Sequence, residues 1–207
     1  MAPERVHARR AGAGVTPAIE LPLNEGFSNA MSFLQRLFGT QPDPREAWRP
    51  LWHKLVEIAR EEHWYAQRGA ADTLDGRFDM ISMLTALFIL RLESEPEGPQ
   101  AAARLTELFV EDMEGQMREA GIGDPTVGKM MGRMMATLGG RAGTLRHALA
   151  KDDDAELAGV VQRNMHLSDE AEGPARIAAG LRALHRRLAA TDLESLQATE
   201  IAAEAAA

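Results

Sequence analysis

The stretch Met80–Leu92, MISMLTALFILRL, is the most apolar window of the chain and decides the fold class. Its 13 residues are too few to cross a bilayer, which needs about 20 apolar residues in succession. Apolar side chains point to nearly every side of a helix built from this window, a pattern typical of a helix buried in a protein core. We therefore predict a central buried helix over about residues 74–92.

Further segments with apolar residues at helical spacing lie on both sides of this window. The predicted helices span about 48–68 (with the stripe Trp48, Leu51, Trp52, Leu55, Ile58), 100–120, 124–138, 144–150, 153–167 and 174–190. Asp124 is a good N-cap before Pro125, and Gly139-Gly140 is predicted to end the helix that follows. No strand-like alternation is long enough to compete. The sequence predicts an all-α fold, a single helical bundle of six or seven helices.

The predicted organisation is one helical domain between two tails. A disordered leader (1–30), a short amphipathic helix with a linker (31–44), the helical domain (45–190) and a frayed tail (191–207) follow each other. Met31 opens the amphipathic segment and is a second candidate start codon, a hypothesis that N-terminal sequencing of the native protein tests. Residues 1–20 contain arginines but no apolar stretch follows them, so a secretory signal is not supported. We expect a cytoplasmic protein.

The composition excludes several classes of function. The 207 residues contain no cysteine, which removes disulfides, thiolate metal sites and cysteine nucleophiles together. With 23 basic and 31 acidic side chains, a net charge of −8, the chain is a poor candidate for binding nucleic acid. His-Glu-x-x-His, Gly-x-Ser-x-Gly and phosphate-loop motifs are all absent from the sequence. We therefore expect a protein that is not an enzyme and has no cofactor or metal.

An acidic motif, Asp72-Thr-Leu-Asp-Gly-Arg-Phe-Asp79, stands immediately before the apolar window. Its carboxylates Asp72, Asp75 and Asp79 have the spacing i, i+3, i+7 and would share one face of a helix. Because like charges repel, we expect a basic residue to face them. The candidates are Arg91, Arg118, Lys129, Arg133 and Arg141. A structural salt-bridge network, a partner-docking site and a Mg²⁺ site all remain open at this point.

The methionines form a second unusual feature, since six of the eleven fall between Met113 and Met135. Methionine is unbranched and adaptable, so methionine-rich surfaces suit varied apolar partners. Ordinary core positions on two packed helices would give the same pattern. Gly132, in the middle of the predicted helix, would allow another backbone to approach closely. Core packing and a groove for a partner helix both fit the sequence.

Several of these segments together resemble the ubiquinol–cytochrome c chaperone family, whose members are assembly factors for ubiquinol–cytochrome c reductase. The matching segments are Trp64-Tyr65, Asp72–Asp79, Phe109, Asp112-Met113, Met117-Arg-Glu119, Gly121-Ile-Gly-Asp124, Val127-Gly-Lys129, Met134 and Gly140-Arg141. The resemblance covers about residues 48–150. In the family the helix after Val-Gly-Lys tends to be more basic and to end with an aromatic residue. Here that stretch reads MMGRMMATLGGR, so a charge-based ribosome or membrane contact is not expected there, whereas apolar client binding is.

The resemblance implies a helical chaperone that binds newly made cytochrome b, or another membrane-protein client, with at most a peripheral contact with the inner face of the inner membrane. A second assembly subunit is left open. The predicted partner-binding residues are Asp72, Asp75, Arg77, Asp79, Arg118, Asp124, Lys129, Arg141, Met113, Met117, Met130 and Met134. Two alternatives remain. One is a small all-α Mg²⁺-dependent enzyme that uses the three aspartates, and the other is an oligomeric helical scaffold with the methionines at its subunit interface.

Overall fold

The structure, a computed structural model, describes residues 43–202. A short 3-10 helix at Glu46–Trp48 is followed by α1 (Arg49–Ala59), α2 (Glu62–Ala66), α3 (Leu74–Glu93), α4 (Gly98–Glu119), α5 (Asp124–Leu149), α6 (Asp154–Asn164), α7 (Gly173–Ala189) and α8 (Leu193–Gln197). Over this range six α-helices have at least 11 residues and two have five. The only extended pairing described is an isolated bridge between Ala70 and Leu167. The predicted all-α bundle is confirmed.

Helix α3 is the centre of the bundle, as the apolar window predicts. Its buried residues lie on every side of the helix, and α1, α4, α5 and α7 pack around it. Burying one large apolar side chain contributes about 1.5–3 kcal/mol. This single helix is therefore the largest apolar element of the core.

The start of α3 is fixed by two residues of the acidic motif. The Thr73 hydroxyl caps the helix by accepting a hydrogen bond from the Gly76 amide at 3.2 Å. A side chain at Gly76 would overlap the Ala71 carbonyl, so only glycine fits there. The motif therefore has a structural role in addition to any role at the surface.

Helix α5 runs without interruption through Gly139-Gly140, so the predicted end at these glycines is wrong. The stretch predicted as a separate helix at 144–150 forms its last turns. Leu138, Arg141 and Leu145 are buried on both sides of the glycine pair, and their packing holds the helix together across it. Tertiary contacts outweigh the cost of about 1 kcal/mol for each helical glycine.

The first long predicted helix is in fact two, α1 and α2, which separate at Arg60 and Glu61. Two side chains of α2 fold back on the end of α1. The Trp64 indole donates to the Ile58 carbonyl at 2.9 Å, and the Tyr65 hydroxyl donates to the Ala59 carbonyl at 2.7 Å. The Trp64-Tyr65 pair of the sequence motif therefore fixes this corner.

The C-terminal stretch predicted to fray contains helix α8, whose Leu196 is buried. Asp192 caps α8 by accepting from the Ser195 amide at 2.7 Å. The predicted leader, the amphipathic segment at 31–38 and the final residues 203–207 lie outside the described residues, and the proposed domain boundaries stay predictions. Among residues 43–202, no helix has the length and apolar character needed to span a bilayer.

Candidate partner-binding site

The structure distributes the predicted partner-binding residues over three places. Asp79 and Arg141 lie in the interior. Asp72, Asp75 and Arg77 lie at the exposed start of α3, whereas Arg118, Asp124 and Lys129 lie at the exposed turn between α4 and α5. The methionines divide between the core and the outer part of α5. The single polar docking face that the sequence suggests is thus not one continuous surface.

Asp79 and Arg141 form a buried ion pair that joins α3 to α5. Their closest atoms are 2.5 Å apart, and their side chains are only 7% and 5% exposed. Arg141 also donates to the carbonyls of Asn164 at 2.6 Å and Asp79 at 3.3 Å. The expectation that a basic residue faces the aspartates is confirmed for this pair. Its burial gives it a structural role and removes both residues from the exposed surface.

His166, which the sequence analysis did not single out, completes this cluster. Its amide donates to Asp79 Oδ2 at 2.9 Å, and its Nδ1 lies 2.6 Å from the same oxygen. This hydrogen bond, together with the negative charge of Asp79, raises the pKa of the His166 imidazole above its usual value. The connection between α6 and α7 is thereby fastened to α3 and α5. No sequence signal links His166 with an aspartate 87 residues away.

The His166 contact makes a prediction about pH. Because its pKa is raised in the folded protein, protonated His166 stabilises the fold below its unfolded pKa of about 6.5. That contribution disappears as the pH rises through the higher folded pKa. We expect His166→Gln to lose more stability, relative to the unchanged protein, at pH 5.5 than at pH 8.5 in urea unfolding. A difference independent of pH would contradict this, and His53→Gln, at an exposed position on α1, is the matched control.

The three aspartates do not share a helix face, so that prediction is wrong. Asp72 precedes the Thr73 cap and lies outside the helix, where it accepts a hydrogen bond from Arg77 Nε at 2.6 Å. This bond lowers the pKa of the Asp72 carboxyl. Asp79 points inward to Arg141, and Asp75 is exposed. Within residues 43–202 no three acidic or histidine side chains are placed to hold a metal ion.

The exposed start of α3, which we call the motif surface, consists of Asp72, Leu74, Asp75 and Arg77. Leu74 is 83% exposed, the highest value for a large apolar side chain among the described residues. A cavity of about 540 Å³ adjoins this surface, and its wall includes Arg60, Tyr65, Asp72, Arg77 and Ser168. The motif surface combines one apolar side chain with charges of both signs, a composition typical of an interface rim.

The turn between α4 and α5 carries the other exposed polar residues of the prediction. Gly121 has a positive φ of 79°, which lets the chain reverse direction. The Ile122 amide donates to the Met117 carbonyl at 3.1 Å, and Arg118 pairs with Asp124 at 2.7 Å. Arg118, Asp124 and Lys129 are all accessible to a partner.

The methionines of α4 and α5 belong to two groups. Met113 and Met117 are 4% and 7% exposed, so these two predicted binding residues are core positions, as is Met131. Met130 and Met134 are half-buried against the core, and Met135 is 36% exposed. We call Met130, Met134 and Met135 the methionine surface. Burial thus distinguishes the methionines that pack in the core from those accessible to a partner, which the sequence alone does not.

Glycines dominate the outer side of α5. Gly128, Gly132, Gly139, Gly140 and Gly143 are exposed, and a methyl group added at any of them would meet nothing within 4 Å. No part of the described chain therefore needs these glycines for close packing. The contact that Gly132 suggests in the sequence is not made within the described residues.

Comparison with known proteins places this geometry in a family. A family model described as ubiquinol-cytochrome C chaperone matches residues 66–204, more than half of the chain. The chain belongs to this family. The ubiquinol–cytochrome c chaperone match includes α6 and α7, which the sequence resemblance does not cover, and so takes in His166. It identifies the protein as an assembly chaperone for ubiquinol–cytochrome c reductase, and it points away from an enzyme.

A solved structure agrees with the family assignment. The crystal structure of the Cbp3 homolog from Brucella abortus is similar, with a TM-score of 0.65 and 27% sequence identity. The match covers 84% of this chain and 95% of the Brucella chain. A comparison with curated proteins gives no match. The bundle described above therefore has the same fold as this crystal structure.

Proposed function

We propose that this assembly chaperone binds newly made cytochrome b at the cytoplasmic side of the inner membrane and holds it during biogenesis of ubiquinol–cytochrome c reductase. The proposal rests on the composition of helix α5, which carries both the adaptable apolar side chains of the methionine surface and exposed glycines that no part of the described chain covers. Client binding falls to the methionine surface, and the exposed polar residues of the prediction assist it.

The chemistry of the methionine surface suits such a client. Met130 and Met134 lie one turn apart on α5 and Met135 follows Met134 directly, and each thioether side chain has three rotatable bonds with which to adapt its shape. A membrane-protein client presents apolar helices that differ in detail, and a repacking surface binds them without a fixed pocket. The neighbouring glycines expose the α5 backbone, and small residues of this kind let apolar helices approach closely.

The polar residues are proposed to fix the orientation of the client. Arg118, at the end of α4, and Asp124 and Lys129, in the first turns of α5, lie near the methionine surface in sequence. Asp72, Asp75 and Arg77 form a separate group around Leu74. Exposed charges contribute little to affinity but raise association rates and exclude incorrect partners. A second assembly subunit, if the protein has one, is proposed to use the motif surface.

Affinity capture from membranes of the source organism tests the proposal. The unchanged protein is expected to capture cytochrome b. The triple variant Met130→Ser, Met134→Ser, Met135→Ser is expected to capture about ten-fold less, equivalent to roughly 1.4 kcal/mol of binding free energy. Capture should fall because the triple variant loses apolar contact area at the methionine surface, while the buried core methionines are unchanged.

The matched control is Leu90→Ser with Val110→Ser, because both side chains are half-buried apolar residues that lie outside the methionine surface. This control is expected to capture cytochrome b normally. Equal capture by the triple variant and the unchanged protein would show that the methionine surface does not bind the client. Recovery of further copies of the chain alone would favour the oligomeric scaffold.

A further inference from the structure

The accessible sulfur atoms of the described chain are concentrated on α5. The sequence contains no cysteine, so thioethers are the only sulfur groups that an oxidant meets. Nine methionines lie within residues 43–202. Six of them are buried: Met80, Met83, Met113, Met117, Met131 and Met165. The other three are Met130, Met134 and Met135, the same residues that form the methionine surface.

We infer that the methionine surface is an oxidation site at which peroxide switches client binding off. Among the nine methionines of residues 43–202, Met135 reacts first because it is the most exposed of them, and the half-buried Met130 and Met134 follow. The switching of client binding rests on the proposed function, whereas the order of oxidation depends only on exposure. The class of modification is the conversion of methionine to methionine sulfoxide.

The reaction needs only hydrogen peroxide as co-reactant. A lone pair on the methionine sulfur attacks one peroxide oxygen, the O–O bond breaks, and a sulfur–oxygen bond forms. The second oxygen leaves as hydroxide and takes up the proton released from the first, which gives one molecule of water. Sulfur is thereby oxidised to the sulfoxide and peroxide is reduced. Methionine sulfoxide reductases reverse the change, which distinguishes it from irreversible damage.

The sulfoxide changes the properties on which client binding depends. It replaces a flexible apolar group with a polar hydrogen-bond acceptor, which an apolar client can bury only at a cost in free energy. Arg133 lies one turn after Met130 and is exposed, so its guanidinium is placed to donate to a sulfoxide at Met130 and hold it toward solvent. Oxidation thus converts an apolar contact into a polar one.

The remainder of the bundle is protected from the same reaction. Met80 and Met83 are completely buried in α3, and Met113 and Met117 are covered between the helices of the core. The outer half of α5 is different, because only Val127, Met131 and Leu138 are buried between its start and the glycine pair. Within residues 43–202, oxidation is therefore expected at the methionine surface before the buried methionines of the core react.

The first experiment measures where oxidation occurs. The full chain is treated with increasing hydrogen peroxide, and each methionine peptide is quantified by mass spectrometry. Among the nine methionines of residues 43–202, Met135 is expected to oxidise first, then Met130 and Met134, with the six buried methionines about ten-fold slower or more, as expected for thioethers shielded from the oxidant. Circular dichroism should remain unchanged at this stage. Uniform oxidation of all nine methionines, or earlier reaction at Met165, would overturn the inference.

The second experiment measures the consequence. Protein oxidised at these three positions is expected to capture about five-fold less cytochrome b, and treatment with methionine sulfoxide reductases should restore capture. The variant Met130→Leu, Met134→Leu, Met135→Leu has no sulfur at these positions, so the amount of cytochrome b that it captures, whatever its level before treatment, should not fall after peroxide. Unchanged capture by the oxidised protein would overturn the switch. If untreated protein captures no cytochrome b, the proposed function fails, while the order of oxidation still decides whether the site exists.

Discussion

Replacing Asp79 with alanine is expected to lower the free energy of unfolding by about 3–5 kcal/mol, because it leaves the buried Arg141 without its partner. The substitution also removes the acceptor of the His166 amide. The Arg141 side chain is only 5% exposed and also donates to the Asn164 carbonyl, so its charge would remain buried. Arg141→Ala is expected to cost a similar amount, because Asp79 would then be the unpaired charge. Urea unfolding at pH 7 measures both.

The control for Asp79 is Asp75, four residues earlier on the same helix. Asp75 is exposed, so Asp75→Ala is expected to change the free energy of unfolding by at most about 0.5 kcal/mol. Levels of assembled ubiquinol–cytochrome c reductase in cells separate the two roles. A loss of complex with Asp75→Ala at normal stability would identify a docking residue. A stable Asp79→Ala protein would contradict the structural role of the buried pair.

A double replacement isolates the interaction between the two charges. Asp79→Leu with Arg141→Met removes both charges and fills similar space with apolar groups. Such exchanges are often neutral or stabilising, because no unpaired charge remains buried. We expect the double variant to be more stable than either single alanine variant. If it is less stable than both, the hydrogen bonds to Asn164 and His166 matter more than the charge pair.

The sequence predicted the long helices because their signals are local. Helix α3, predicted at 74–92, is found at Leu74–Glu93, since the apolar run Met80–Leu92 contains no glycine or proline and allows few alternatives to a helix. The break between α1 and α2 was missed because it depends on Trp64 and Tyr65 reaching back to α1 carbonyls. The continuation of α5 through Gly139-Gly140 was missed because buried neighbours override the low helix propensity of glycine.

The candidate site was less predictable, since it depends on contacts between distant residues. Asp72 and Asp79 have helical spacing. However, the helix begins after the cap at Thr73, so Asp72 lies outside it, whereas Asp79 is buried in the interior. Residue spacing alone does not locate the first residue of a helix to within one position. Neither does it separate Met113 from Met135, because burial depends on which neighbours cover each face. Leu74 shows the same limit, since its position as the first residue of the core helix α3 gives no sign of its exposure.

Replacing four exposed glycines of α5 with alanine is expected to make the protein more stable and a poorer chaperone. The variant is Gly128→Ala, Gly132→Ala, Gly139→Ala, Gly143→Ala. At each position the backbone is helical, and an added methyl group meets nothing within 4 Å. Each change is expected to add about 0.4–1 kcal/mol by reducing the freedom of the unfolded chain. The four together should add roughly 2–4 kcal/mol, because alanine also has the higher helix propensity.

The effect on function is predicted to have the opposite sign. Packing within the described chain does not require glycine at these positions, so their unfavourable effect on stability is explained if a client helix needs close access to the α5 backbone. We expect the four-alanine variant to capture less cytochrome b although it unfolds at higher urea concentration. The matched control is Gly115→Ala on α4, where an added methyl group also meets nothing within 4 Å. It should gain stability without losing capture. Full capture by the four-alanine variant would show that the client does not approach this face of α5. Thermal or urea unfolding measures the gain in stability separately, so the two effects can be told apart.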